Sequence, residues 1–328
     1  DSWDKIRAVK NRSRRMEKMS QVYDREILPI WSERFGRMLL RGLAVPERAM
    51  VLDFGCGTGY PSLEILKRMG DQGRIIAIDP AGALLDVARE KAEDLSGKRL
   101  FFRSESFSGK LAFADDVYDL VVSNVSPQVL EDPKNALSEM IRVAAPGGQI
   151  IATLPLAGTY REFFDIYREV LTKNDRHGAL ERLEQHILLL PQADDVASWM
   201  EDAGIQKVDV EVEEFSLLFK SSREFFFAPV IEYGPLAIWK EVAGKGQEMQ
   251  EIFWHIKEAI DAYFGDRGFG ITVMAGCFRA IKPGGDYNAD ELTSQDLPTE
   301  PGAGSSRTDT DENPSLEDDF RLDEETEV

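Results

Sequence analysis

Hydrophobic and polar residues are arranged along the chain in blocks that predict an α/β sheet. Short apolar runs rich in Val, Ile and Leu are predicted strands, and they are buried in character because polar residues do not alternate within them. These runs lie near residues 49–54, 74–79, 99–103, 117–123 and 148–154. Segments with helical spacing separate them, near residues 60–69, 82–94 and 132–144. Strands that alternate with helices predict a parallel, doubly wound sheet.

The regular alternation stops after Leu154 and then resumes. The predicted elements that follow are helices at 159–172, 179–190 and 193–203, a strand at 207–219, an aromatic-rich helical segment at 222–265 and a strand at 271–281. The strand at 207–219 mixes valines with acids, which is typical of a half-exposed edge strand. The complete pattern predicts a seven-stranded, mostly parallel sheet with two helical insertions.

The N-terminal region, residues 3–43, has apolar residues at helical spacing. We expect Pro29 to break or kink this region, so that Ile30 to Leu43 forms a second helix. The first part is basic, with cations at Lys5, Arg7, Lys10, Arg12, Arg14, Arg15 and Lys18. These cations form either a surface for an acidic protein partner or anionic membrane, or an ordinary solvated helix face.

The negative charge of the chain is concentrated at its C-terminal end. The 328 residues carry a formal net charge of -20, and residues 283–328 contribute fifteen acids against two arginines. This tail has too few apolar residues to offset the entropy lost on ordering, so it is predicted to be disordered. The remaining acidity repels phosphate backbones, which disfavours nucleic acid as a partner.

Composition excludes several other classes of protein. Two distant cysteines and three histidines form neither a disulfide framework nor a metal-binding cluster, which favours a reducing, cytoplasmic location. No apolar run approaches the roughly 20 residues that span a bilayer. No signal-peptide pattern opens the sequence, so neither secretion nor an integral membrane segment is expected.

The turn after the first predicted strand carries the most informative chemistry. Three glycines, Gly55, Gly57 and Gly59, occupy alternate positions directly after Asp53, and a second apolar run ends at Asp79. This arrangement is typical of an α/β sheet that binds a nucleoside at the carboxyl ends of its strands. A dinucleotide fingerprint would need its third glycine at position 60, where the chain has Tyr, so a nicotinamide-dependent oxidoreductase is disfavoured. Asp53 suits a ligand with an ammonium group better than a pyrophosphate.

Four motifs in the expected order resemble those of the class I S-adenosylmethionine-dependent methyltransferases. Val51-Leu-Asp-Phe-Gly-Cys-Gly-Thr-Gly59 resembles motif I of that family, and Ile78-Asp79 is similar to its ribose-binding acid. Residues 111–124 resemble the stretch that ends in the fourth strand, and residues 143–151 resemble the turn before the fifth. The resemblance covers roughly residues 45–155 and implies a Rossmann-like methyltransferase fold that binds S-adenosylmethionine.

The resemblance also implies roles for particular residues. Gly55, Gly57 and Gly59 would allow the backbone to approach the methionine part of S-adenosylmethionine, and Asp53 would orient their turn. Asp79 would accept the two ribose hydroxyls, because a carboxylate can accept two donors.

Four more residues complete the implied site. Pro80 would lie beside the adenine, and Asn124 would lie near the methionine end or else cap the turn that follows it. The family often has an Asp shortly before the position of Leu111, and this sequence does not. Ser106 or Phe107 is therefore expected to line the adenine pocket.

The expected organisation is an N-terminal helical region (1–45), a methyltransferase domain (46–282) and a disordered acidic tail (283–328). Helical insertions at 155–192 and 222–265 would form a lid over the methyl group. Their aromatic residues favour a small, apolar or aromatic acceptor, as in similar methyltransferases that act on quinone precursors or acyl-carrier-protein esters, although these residues could simply pack the lid onto the core. Four lid residues could act as a base, and the sequence does not choose among Tyr160, Glu162, His177 and His186. A non-catalytic, S-adenosylmethionine-binding assembly or regulatory protein is the alternative.

Overall fold

The predicted seven-stranded sheet is present in the computed structural model, which describes residues 14–107, 109–124 and 132–284. The strands are β1 (Met50–Phe54), β2 (Arg74–Asp79), β3 (Leu100–Ser104), β4 (Tyr118–Asn124), β5 (Ala144–Pro155), β6 (Val208–Phe219) and β7 (Phe269–Ile281). Their order across the sheet is β3-β2-β1-β4-β5-β7-β6. The first five strands are parallel, and β7 lies antiparallel between β5 and β6.

This order creates a crevice beside β1. The chain leaves β1 in one direction to form β2 and β3, and then returns to the other side of β1 to form β4 and β5. Ligands bind at such a point in α/β sheets because the loops that leave neighbouring strands diverge there. The register places Asp53 between Ala77 of β2 and Val122 of β4, so these three strands end close together.

Helices cover both faces of the sheet and fill the two insertions. They are α1 (Glu33–Leu40), α2 (Ser62–Leu66), α3 (Gly82–Ala92), α4 (Pro133–Val143), α5 (Arg161–Lys173), α6 (His177–Ile187), α7 (Ala193–Asp202), α8 (Ser222–Phe227), α9 (Pro229–Glu232), α10 (Leu236–Ala243) and α11 (Gly246–Phe264). We call α5, α6 and α8 to α11 the lid helices. Helices from the two insertions pack on each other, since α5 contacts α11 and α6 contacts α10.

Pro29 does not break the region into two separate helices, but it lies within a helical irregularity. The chain is helical from residue 14 to residue 40, a segment that we call the N-terminal helix, and Tyr23–Ser32 within it is a π-helix. A proline has no N–H to donate and its ring clashes with the preceding turn of an α-helix, and the wider π-helical turn accommodates both constraints. The helix also ends at Leu40 rather than Leu43.

Burial on the core explains why this segment stays helical. Ile27, Trp31 and Phe35 have no exposed surface and pack on the same cluster as the sheet residues. Full burial of such side chains contributes about 1.5–3 kcal/mol each. Three of them together therefore exceed the roughly 3 kcal/mol that a proline costs inside a helix. The first turn of the described part of this helix is also bound to α9, because the guanidinium of Arg15 donates to the carbonyl of Glu232.

Several predictions concern residues outside the described ranges or are not tested. Residues 1–13 of the basic region and residues 285–328 of the acidic tail lie outside the described residues. The domain boundaries and a protein partner at the basic surface stay predictions. Within residues 14–107, 109–124 and 132–284, no helix has both the length and the apolar character needed to cross a membrane.

The connection from β3 to β4 is held by Arg142 of α4. Its guanidinium donates to the carbonyl oxygens of Leu111 and Phe113, at 3.2 and 2.9 Å, and to the carboxylate of Glu139. Glu139 in turn accepts from the backbone N–H of Leu111 at 2.6 Å. These bonds fix the part of the connection that follows Phe107, a residue of the candidate site.

Candidate functional site

The glycine turn follows β1 and is attached to the end of β2. The backbone N–H groups of Gly55 and Cys56 donate to the carbonyl oxygen of Ile78 at 2.8 and 3.0 Å. Gly55, Gly57 and Gly59 have φ angles of 83°, 54° and 96°. Side chains are disfavoured in this left-handed region, so glycine at these positions allows a backbone path that other residues would adopt only with strain.

Asp79 joins the glycine turn to the segment after β2. One carboxylate oxygen accepts from the N–H of Gly57 at 3.0 Å, and the other accepts from the N–H of Ala81 at 2.8 Å. A carboxylate has about four acceptor positions, so these two bonds leave capacity for ligand hydroxyls. Burial raises the pKa of Asp79 to about 6, against the lowering effect of the two amides.

Asp53 lies beneath the turn and is fully buried. Its Oδ2 accepts from the Ser62 hydroxyl at 2.5 Å, which links the end of β1 to the start of α2. Among the residues described, its Oδ1 has no hydrogen-bond partner. Burial raises the pKa of Asp53 to about 7, and the hydrogen bonds from Ser62 oppose this rise.

The π-helical part of the N-terminal helix lies on the turn. A Cβ placed on Gly57 would be 3.7 Å from the Tyr23 hydroxyl, which pairs with the Ser32 hydroxyl at 2.8 Å. The Thr58 hydroxyl donates to Asp24 at 2.6 Å, and Lys91 forms an ion pair with the same carboxylate at 2.9 Å. The sequence did not identify Tyr23 or Asp24 as site residues, because helical spacing shows that a tyrosine is buried but not what it contacts.

Asn124 connects the end of β4 to the N-terminal helix. Its side-chain nitrogen donates to the carbonyl of Ser32 at 2.8 Å, and its oxygen accepts from the Thr153 hydroxyl at 2.8 Å. The residue is buried. Both ends of the amide are therefore used to hold the helix against β4 and β5, next to the expected methionine end of the site.

The other side of the turn is lined by Phe107. Its ring stacks on Phe54 with centroids 4.2 Å apart, and it would lie 3.8 Å from a Cβ on Gly55. Pro80 and Ser106 are both exposed on the loops after β2 and β3. The structure thus places the predicted adenine-side residues on neighbouring loops, with Phe107 directly against the turn.

These features fit S-adenosylmethionine. The backbone of Gly55 and Gly57 lies between the Tyr23 and Phe107 side chains, which are 3.7 and 3.8 Å from a Cβ placed on these glycines, so a side chain there would narrow the space beside the turn. Asp79 supplies unused acceptor capacity at the end of β2, where a ribose is held in such sheets. When bound, S-adenosylmethionine supplies a methyl group that its sulfonium already activates.

Comparison with known proteins agrees with this geometry. The profile of a methyltransferase-domain family matches residues 47–204. The chain is 28% identical over 173 residues to the ubiquinone/menaquinone biosynthesis C-methyltransferase UbiE of Idiomarina loihiensis, which covers 49% of this chain and 68% of that one. It is 24% identical over 221 residues to the demethylmenaquinone methyltransferase of Staphylococcus aureus, covering 64% and 87% of the two chains. The YcgJ protein of Bacillus subtilis has a similar fold, with a TM-score of 0.51 at 14% identity over 77% of this chain and all of that one.

The sheet order, the glycine turn and these relatives define the class of protein. Residues 47–204 form a methyltransferase domain of the class I S-adenosylmethionine-dependent type, as the motifs indicated. It is an enzyme whose methyl donor is S-adenosylmethionine.

The lid residues that the sequence could not separate have different surroundings. Glu162 accepts from the N–H and hydroxyl of Thr272 at 2.8 and 2.6 Å, so its carboxylate is already engaged. His177 is exposed at the start of α6. His186 lies edge-on to Phe164, with centroids 6.0 Å apart, and burial lowers its pKa. Tyr160 is buried among aromatic rings.

Replacing Asp79 by Ala should weaken binding of S-adenosylmethionine by about 1.5–3 kcal/mol, because hydrogen bonds to a charged group are lost. Titration calorimetry measures this change. Asp86→Ala is the matched control, since Asp86 is an exposed acid of α3 that pairs only with Arg89 on the surface among the contacts described. Equal affinities for the wild type and Asp79→Ala would place the ribose elsewhere.

The affinity for S-adenosylmethionine should fall as the pH drops through about 6. We expect ribose hydroxyls to donate to the ionised carboxylate of Asp79, whose pKa is raised to about 6, so that protonation below this pH would remove the acceptor. Calorimetry at pH 5 to 8 tests this, with Asp79→Asn as the comparison. If Asp79→Asn shows the same fall, the titrating group is another one, and Asp53 with its pKa of about 7 is the first candidate.

Replacing Asp24 by Ala should accelerate dissociation of S-adenosylmethionine. The change removes the hydrogen bond from Thr58, which attaches the N-terminal helix to the turn, and the ion pair with Lys91, which attaches it to α3. We expect the dissociation rate constant to rise about threefold to tenfold, which corresponds to the roughly 1 kcal/mol that one such hydrogen bond contributes. Stopped-flow displacement measures the rate. Glu26→Ala is the control, because Glu26 lies on the same helix and pairs with the neighbouring Arg25. Equal rates in Asp24→Ala and Glu26→Ala would contradict the prediction.

Proposed function

We propose that this enzyme transfers the methyl group of S-adenosylmethionine to a small aromatic or apolar acceptor. The observation that carries the proposal is an aromatic cluster where the N-terminal helix, the loop after β5 and the lid helices meet. We use the name aromatic cluster for Trp31, Tyr160, Phe163, Phe164 and Trp239, all of which are buried.

The rings of this cluster contact each other directly. Tyr160 lies between the two indoles, stacked on Trp31 with centroids 6.1 Å apart and edge-on to Trp239 at 5.1 Å. Trp239 stacks on Phe163 at 4.2 Å and lies edge-on to Phe164 at 5.9 Å. Aromatic side chains favour a planar, apolar ligand, because they offer large contact areas and edge-to-face geometry.

The cluster is also connected to the donor site. Trp31 precedes Ser32, whose carbonyl accepts from Asn124 at the end of β4 and whose hydroxyl pairs with Tyr23 above the glycine turn. An acceptor that opens this cluster would therefore lie beside the end of the site where we expect the methyl group.

The names of the relatives support the same class of acceptor. One relative is a C-methyltransferase of ubiquinone and menaquinone biosynthesis, and another is a demethylmenaquinone methyltransferase. The first name refers to the biosynthesis of quinones and the second to a demethylated quinone. We extend this only to the chemical class, a small ring compound with apolar character.

The main requirement that methyl transfer places on the protein is to align the acceptor atom with the carbon–sulfur bond of the donor. The acceptor atom contributes the electron pair of the new bond to carbon, and the electron pair of the broken carbon–sulfur bond stays on sulfur, which becomes a neutral thioether. A neutral acceptor then releases one proton to water or to a nearby base. The closed aromatic surroundings would hold the acceptor in line and exclude bulk water.

An assay with methyl-labelled S-adenosylmethionine and a panel of small acceptors tests the proposal. Aromatic acceptors, including hydroquinones, should gain label, and mass spectrometry should show a product heavier by one methylene group. Label should be much lower with Asp79→Ala at limiting S-adenosylmethionine, because that variant is expected to bind the donor weakly.

The same assay distinguishes the non-catalytic alternative. Label on polar amines or on protein alone would contradict the proposed acceptor class. Tight binding of S-adenosylmethionine without label on any panel member, together with a stable protein complex, would instead favour a regulatory or assembly role.

A further inference from the structure

The Tyr160 hydroxyl is a buried polar group with no described partner. The residue is 5% exposed, and no hydrogen-bonding atom of residues 14–107, 109–124 or 132–284 reaches its hydroxyl. Leaving a buried hydroxyl unpaired costs about 1–3 kcal/mol, so native structures do this rarely. A phenylalanine at this position would keep the ring contacts without that cost.

The indole nitrogens on both sides of Tyr160 are in the same situation. Trp31 and Trp239 are fully buried, and within the described part of the chain neither Nε1 has an acceptor. An indole N–H is only a donor, whereas a tyrosine hydroxyl donates and accepts. Three adjoining rings therefore carry three donors without a described acceptor, and an oxygen atom of a ligand is a group that accepts from such donors.

The backbone at Tyr160 is held in an unusual conformation. Its φ of 63° is left-handed, which is rare for a bulky residue and costs of order 1–3 kcal/mol. Such conformations persist where the surroundings fix them, and they concentrate at ligand sites.

Hydrogen bonds to β7 fix this conformation. The N–H of Tyr160 donates to the carbonyl of Thr272 at 2.8 Å, and Met274 donates its N–H to the Thr159 hydroxyl at 3.0 Å. Glu162, two residues further on, binds Thr272 from the other side. The loop after β5 is thus attached to β7 before, at and after Tyr160, which gives its ring a defined position.

We propose that Tyr160, flanked by Trp31 and Trp239, binds an oxygen substituent of the aromatic acceptor, so that the acceptor is a phenol, hydroquinone or related ring oxygen compound. This inference rests on the proposed function and specifies its acceptor. Tyr160 acts here as a specificity-determining residue, since its hydroxyl distinguishes an oxygen on the ring from a methyl group of similar size.

Burial also determines the form in which Tyr160 acts. It raises the pKa of the phenol well above its ordinary value, so the side chain stays a neutral hydroxyl. The indoles carry no charge either. A neutral set of donors suits a neutral ring oxygen.

Two matched probes test the inference by equilibrium dialysis: 2-naphthol, and 2-methylnaphthalene, in which a methyl group replaces the hydroxyl. Saturating S-adenosylhomocysteine occupies the donor site and prevents turnover. The wild type should bind 2-naphthol about tenfold more tightly than 2-methylnaphthalene, which is the effect of one hydrogen bond. Tyr160→Phe should bind the two probes about equally, with unchanged affinity for S-adenosylhomocysteine and a melting temperature that is not lowered.

Tyr167→Phe is the matched control. Tyr167 is a buried tyrosine of α5 whose hydroxyl donates to the carbonyl of Trp239 at 2.8 Å. Its loss should lower the melting temperature and leave the preference for 2-naphthol intact.

Any of three binding results would overturn the inference. They are no binding of 2-naphthol by the wild type, equal binding of both probes by the wild type, and a preference that survives in Tyr160→Phe. A variant Tyr160→Phe that unfolds would also contradict it, because the hydroxyl would then be structural. The dialysis is repeated without S-adenosylhomocysteine, so that a protein that prefers 2-naphthol but does not methylate the panel would retain this inference and lose the proposed function.

Discussion

Two backbone hydrogen bonds to one carboxylate determine the geometry of the donor site. Asp79 stands at the end of β2 and accepts from Gly57 in the turn after β1 and from Ala81 in its own loop. The carboxylate thus joins two strands at the point where their loops diverge. Because the groups it holds are backbone amides, these two bonds fix the path of the main chain directly. Burial of the carboxylate raises its pKa, which is why we expect the affinity of the site to depend on pH.

The N-terminal helix completes the site by contacts that no single motif encodes. It meets the glycine turn through Tyr23 and Asp24 and meets β4 through the bond between Ser32 and Asn124. The π-helical geometry of Tyr23–Ser32 rotates the side chains within this segment relative to a regular α-helix. The polar residues of the segment therefore reach the turn and the strand end while Trp31 remains in the core.

The sheet and the donor turn could be predicted from sequence because local signals determine them. Each strand is an apolar run, and the strand bounds differ from prediction by only a few residues, except at the start of β5. There, the turn signal at Pro146 to Gly148 marked a real irregularity, since the register with β4 shifts between Tyr118 and Leu120. The chain nevertheless pairs on both sides of this shift, so β5 begins at Ala144. A local sequence pattern therefore detects the irregularity in β5, but it does not show that the strand pairs with β4 on both sides of it.

The rest could not be predicted, because it depends on contacts between distant segments. The chain stays helical through Pro29 because burial of Ile27 and Trp31 outweighs the tendency of proline to end a helix. The aromatic cluster combines residues from the N-terminal helix, the loop after β5 and α10, and helical spacing predicts only that each is buried. The tertiary structure is what shows Tyr160 to be unpaired and left-handed in its backbone.

The two halves of the site therefore differ in how they are built. The donor half uses backbone amides and one carboxylate, so it suits a ligand that many sheets of this class share. The proposed acceptor half uses side-chain donors that come together only after three segments have packed. A change in the loop after β5 or in α10 alters this set of donors, whereas the N-terminal helix contributes to both the donors and the glycine turn. With the acceptor at the proposed site, its identity is determined around Tyr160, while the methyl donor is determined at the glycine turn.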